Sequence, residues 1–132
     1  MPPYRGQFDE KGLPLIEIEV IGEGGSERVS AVIDSGFTGY LSITYPTAAS
    51  TKLTRLGVES ANLANGEPVT YLECVGIIAI GETRVRAVID VQEKGRVLLG
   101  NAFLKEARLS FRCDPFRSIA VLDNSKRFNF GI

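Results

Sequence analysis

Ala31-Val32-Ile33-Asp34-Ser35-Gly36-Phe37-Thr38-Gly39-Tyr40-Leu41 runs from apolar strand residues through a carboxylate and two glycines back to apolar residues. The apolar pair Val32-Ile33 delivers Asp34 to the exit of a strand, and Gly36 permits a turn that a side chain would obstruct. Asp, Ser and Gly are also common turn residues. By itself, therefore, the tripeptide reads first as an Asx-type turn in which Asp34 bonds its own backbone.

Upstream, Leu15-Ile16-Glu17-Ile18-Glu19-Val20 alternates strictly, which predicts a half-buried strand with Ile16, Ile18 and Val20 inward. Gly22-Glu23-Gly24-Gly25 turns the chain, and Arg28 to Ile33 alternates again, so the two runs form a hairpin that ends on Asp34. Downstream, Tyr40-Leu41-Ser42-Ile43 predicts a short strand. The segment from Pro46 to Leu56 predicts a short helix with Pro46 in its first turn and Gly57 as C-cap. Asn65-Gly66 signals an exposed hairpin tip before the strand Val69 to Val75. Ile77 to Ile80 and Arg84 to Val91 form another hairpin across Gly81-Glu82. Arg96 to Gly100 reads as a buried strand, Asn101 to Ala107 as a short helix, and Leu109 to Arg112 and Ser118 to Leu122 as a final strand pair joined through Asp114-Pro115. Short strands at this spacing predict a mainly β fold, a small barrel or sandwich with one or two short helices. Val85 to Asp90 repeats the pattern of Val29 to Asp34 without the Ser-Gly that follows it, and reads as repeated strand patterning.

A chain of 132 residues holds one compact domain with one core, here residues 1–132. Fifteen Lys and Arg against sixteen Asp and Glu, dispersed along the chain, offer no basic surface for nucleic acid. Histidine is absent, which excludes Ser-His and Cys-His nucleophiles, imidazole bases and His-ligated zinc. Cys74 and Cys113 lack C-x-x-C spacing, so no metal or redox motif is expected; both read as buried thiols. No cofactor is expected. Met1 to Gly6 lacks the apolar core of a secretory signal and no apolar run reaches membrane-span length, so a cytoplasmic location without membrane partners is expected.

The stretch from Ala31 to Leu41 resembles the active-site loop of the retropepsin-like aspartic proteases, an apolar pair followed by Asp-Thr/Ser-Gly. Val97-Leu98-Leu99-Gly100, followed by Phe103-Leu104 in a short helix, resembles that family's second signature, and the Asn65-Gly66 hairpin falls where the family has its flap. The order of these parts matches over roughly residues 13–123. The resemblance implies a closed-barrel-like retropepsin fold, a homodimer that pairs the two Asp34 carboxylates, and endopeptidase activity on a peptide or protein substrate. It further implies catalytic roles for Asp34, Ser35 and Gly36, the serine hydroxyl bonding across the dimer. Phe37, Thr38, Ala64, Asn65 and Gly66 are implied as substrate-binding residues, the last three closing as a lid.

The chain departs from the family pattern at three places. Phe37 stands where viral members commonly have a small residue, and would place a ring beside the carboxylate pair and narrow the groove. Asn101 stands where viral members have an Arg that supports the loop. Arg127 to Ile132 alternates, and reads either as an interfacial strand or as a disordered end. The first two departures leave open an alternative, a catalytically inactive dimerisation or peptide-binding module of the same fold.

Overall fold

The computed structural model describes residues 1–62 and 64–125; the segment from Arg127 to Ile132 lies outside the described residues. The chain is mainly β, with two seven-residue helices among the described residues.

The alternating run forms β3 (Pro14–Gly22), preceded by two dipeptide strands, β1 (Tyr4–Arg5) and β2 (Gln7–Phe8). β3 turns back as β4 (Gly25–Ile33), paired antiparallel from Gly22↔Gly25 to Leu15↔Val32. Ile16, Ile18 and Val20 are buried, as alternation requires. After the Asp34 loop come β5 (Leu41–Thr44), α1 (Tyr45–Thr51), β6 (Thr54–Asn62), β7 (Pro68–Ile80) and β8 (Thr83–Gln92). The chain closes with β9 (Leu98–Leu99), α2 (Asn101–Ala107), β10 (Leu109–Asp114) and β11 (Ile119–Asn124).

Eight strands form one sheet in the order β2-β3-β4-β9-β5-β8-β7-β6, and an extra antiparallel pairing of β3 with β7, through Val20↔Ile78, joins it into a ring. β1, β11 and β10 make a separate three-stranded sheet. One continuous core fills the ring, with Ile18, Leu41, Ile43, Ile78, Ile89, Leu99 and Phe103 almost fully buried. Each such side chain contributes on the order of 1.5–3 kcal/mol of transfer free energy.

Several boundaries differ from the sequence expectation. α1 ends at Thr51, not near Leu56, and its cap is Lys52 in the left-handed conformation (φ 52). The cause is tertiary: the carbonyls of Thr51 and Lys52 accept the N–H groups of Gly24 and Glu23, at 2.9 and 3.2 Å. The β3–β4 turn thus takes up carbonyls that the end of a helix leaves free. Gly57 is no C-cap; it sits at a register shift in β6. The stretch from Arg96 to Gly100 is strand over only two residues. Cys74 is buried, but Cys113 is exposed, although its partner across the β10–β11 ladder, Ala120, is buried. Burial raises the Cys74 thiol above its ordinary pKa, an effect that Arg55 partly offsets. No described helix is long and apolar enough to cross a membrane.

Candidate active site

The position of Asp34 follows from how β4 ends. Val32 and Ile33 pair in parallel with Leu98 and Leu99. The N–H of Val32 donates to the Val97 carbonyl (2.8 Å) and that of Asp34 to the Leu99 carbonyl (2.9 Å). The chain is therefore held as strand up to the residue that carries the carboxylate. Beyond it the backbone reverses: the Gly36 N–H donates to Asp34 Oδ1 (2.9 Å) and the Phe37 N–H to the Asp34 carbonyl (3.1 Å). The Asx turn anticipated from Asp-Ser-Gly is present, and it occupies one carboxylate oxygen. Asp34 is partly buried, while Ser35, Gly36 and Thr38 are exposed.

The far side of the loop is fastened by the start of α2. Gly100, its N-cap, has no side chain to cap the helix. The leading N–H groups instead meet loop carbonyls: Gly100 N–H to Tyr40 O (3.0 Å), Asn101 N–H to Phe37 O (2.9 Å) and Ala102 N–H to Gly39 O (3.1 Å). The Asn101 side chain adds Nδ2 to the Ser35 carbonyl at 2.6 Å. Asn101 stands where viral members of the resembled family have a supporting Arg. In the structure it braces the loop with a neutral amide.

Phe37 folds back onto its own loop. A Cβ on Gly39 would stand 2.6 Å from Phe37 Cζ, and one on Gly100 would stand 2.6 Å from Phe37 Cδ2 and 2.7 Å from Phe37 O. The two glycines are therefore the seat of the ring, which packs as part of the loop. The signal for this was in the sequence, in Gly39 and Gly100, but only the fold brings them together. Beside the loop, Ser35, Thr38, Ala102, Leu104, Leu109 and Phe111 line an open, mostly apolar groove of ≈760 Å³.

The face of the sheet that carries Val32 continues outward through register partners. Val32 pairs with Leu98, Leu98 with Ser42, Ser42 with Asp90, and Asp90 with Glu73. Directly paired residues share a face, so these five side chains form one row from the strand of Asp34 to β7. Ser42 is buried, 2% exposed, and its hydroxyl accepts Gln92 Nε2 at 2.6 Å. Burial, and secondarily the Glu73 carboxylate, push Asp90 up to about 6. In the sequence Asp90 only ends the echo of Val29 to Asp34 and Glu73 stands in no motif; their meeting depends on the β7–β8 register.

Ala64, Asn65 and Gly66 sit on a different element. They are exposed at the tip of the β6–β7 hairpin, where Gly66 has φ 86 and the Glu67 N–H donates to Asn65 Oδ1 at 3.0 Å. The structure therefore gathers Asp34, Ser35, Gly36, Phe37 and Thr38 into one braced loop and puts the other three at the end of an arm. Among the described residues, no group of three or more metal-ligating side chains converges. No protein-family model matches the chain, and no curated protein matches it.

Proposed function

We propose that the chain is a retropepsin-like aspartic endopeptidase that works as a homodimer, with Asp34 of each protomer forming the catalytic pair. The observation that carries this reading is the bracing of the Asp34 loop from both sides, by β9 before the carboxylate and by the start of α2 after it. Such bracing fixes a partly buried carboxylate at the surface, where a second copy of the loop can meet it. The apolar groove beside Ser35 and Thr38 offers a face for that contact. An isologous arrangement then yields two neighbouring carboxylates from one residue.

Two such carboxylates do not both ionise readily, so they share a proton and titrate as a pair. The ionised one takes a proton from water, and the protonated one polarises the scissile carbonyl. Ser35 and Gly36 shape the loop around the pair, Thr38 borders the groove, Phe37 supports the loop from within its own packing, and the Ala64-Asn65-Gly66 tip covers bound peptide.

The test is digestion of an unfolded protein from pH 3 to 7, with and without a statine-type inhibitor, for the wild type and Asp34→Asn. Asparagine retains an oxygen to accept the Gly36 N–H, so the variant should keep its fold while cleavage disappears. A dimeric wild type that cleaves nothing across that range would sink the reading. Peptide binding that survives Asp34→Ala would point instead to a non-catalytic peptide-binding or dimerisation module.

A further inference from the structure

We propose that the Glu73–Asp90 rung is a proton-operated hinge for the β6–β7 hairpin: a neutral Asp90 opposite Glu73 lets the arm sit against the body of the sheet, and ionisation of Asp90 releases it.

The geometry places the pair at the point where the arm leaves its support. β8 pairs with β7 from Ile80↔Thr83 as far as Leu72↔Val91, and Glu73↔Asp90 is the rung just before that last one. Past Leu72, the described part of β7 pairs with β6 alone, from Glu59↔Tyr71 to Asn62↔Pro68, and β6 is the edge strand of the sheet. The hairpin is therefore a two-stranded overhang, and such ribbons have little stability of their own. Whatever happens at the last rungs decides how it sits.

Like charges directly opposite across two strands are destabilising, and a neutral carboxyl opposite a carboxylate removes that repulsion. Among the described residues the surroundings supply no neutralising partner. On β7, Tyr71 and Glu73 lie toward Asp90, and Glu59 of β6 stands opposite Tyr71. On β5 the neighbour is the neutral, buried Ser42, held by Gln92 from β8 itself. Arg55 of β6 pairs with Cys74, whose thiol it influences. Glu93 and Lys94 beyond Gln92 are exposed. Among the described residues, neither Glu73 nor Asp90 takes part in an ion pair. The Tyr71 hydroxyl, raised chiefly by burial and then by Asp90, Glu73 and Glu59, stays neutral throughout this range.

The sign follows from linkage. Asp90 is raised from an ordinary 3.8 to about 6. Docking of the arm is therefore most favoured below pH 3.8 and loses that support as the pH rises through about 6. The mechanism is independent of whether the chain cleaves peptides, since it concerns the hairpin and its base.

The test is amide hydrogen exchange over residues 58–62 and 68–71 at pH 4.5 and 7.5, corrected for intrinsic rates, on the full chain and on Asp90→Asn and Glu73→Gln. In the wild type, opening of the arm should increase roughly tenfold between the two pH values, the equivalent of one pKa unit. Asp90→Asn should stay within about twofold, Glu73→Gln should keep a smaller rise than the wild type because burial of Asp90 remains, and the β3–β4 hairpin should stay unchanged in all three proteins. A wild-type arm indifferent to pH, or an equal rise in Asp90→Asn, overturns the proposal. Should Asp90→Asn fail to fold, a carboxyl carbon NMR titration of the wild type decides the matter, and an Asp90 midpoint below 4.5 refutes the hinge. Loss of cleavage with an intact pH response would count against the protease alone, and the reverse against the hinge alone.

Discussion

Replacing Gly100 by Ala tests whether the Asp34 loop is held by close backbone contact. Gly100 has φ −108 and ψ 178, extended backbone that any residue adopts, so the substitution adds no conformational strain of its own. Its cost is steric. The new methyl would run into the Gly39 carbonyl oxygen and stand 2.7 Å from the Phe37 carbonyl and 2.6 Å from its ring. Two of these three obstacles are backbone, which yields only if the loop moves away from α2. Overpacking of this kind costs about 1–3 kcal/mol. A separated loop also loses the bonds from Gly100 N–H to Tyr40 O and from Ala102 N–H to Gly39 O, about 1 kcal/mol each. The sum is about 3–5 kcal/mol, or roughly 10–20 °C in melting temperature for a domain of this size. Gly57→Ala is the control, because a Cβ there meets nothing within 4 Å; it should change stability by no more than about 0.5 kcal/mol. The assay is thermal and urea unfolding of both variants beside the wild type. If Gly100→Ala melts within about 2 °C of the wild type, the loop is not packed against α2 as described.

Two further outcomes are expected. Asn101→Ala removes the Nδ2 bond to the Ser35 carbonyl and should cost about 1 kcal/mol by urea denaturation, with any peptidase activity falling further than stability explains; unchanged activity would deny the side chain its bracing role. With a thiol reagent under native conditions, Cys113 should react promptly and Cys74 only on unfolding, one thiol per chain in each phase. Two fast thiols would contradict the buried position of Cys74.

Local chemistry made much of this protein legible from its residues. Strict alternation in Leu15 to Val20 assigned a strand and its inner face, because side chains on a strand point alternately to its two sides whatever lies beyond. Asn65-Gly66 and Gly81-Glu82 marked hairpins, since backbone conformation at such pairs is set by the residues themselves. Asp34-Ser35-Gly36 announced a turn, and the turn is there. The features left to tertiary structure all depend on residues remote in sequence. α1 stops at Thr51 because the β3–β4 turn supplies donors to its last carbonyls. Cys113 is exposed even though its β11 partner Ala120 is buried, which no local pattern indicates. Phe37 is part of the loop's own packing because Gly100, more than sixty residues away, leaves room for the ring. Glu73 and Asp90 became a pair only through the register of two long strands. Sequence determined the strands, their faces and the candidate loop, which are short-range consequences of side-chain and backbone chemistry. Ring closure, the bracing of Asp34 and the environment of Asp90 were decided by the fold, because hydrogen bonds and desolvation act between whichever groups it brings together.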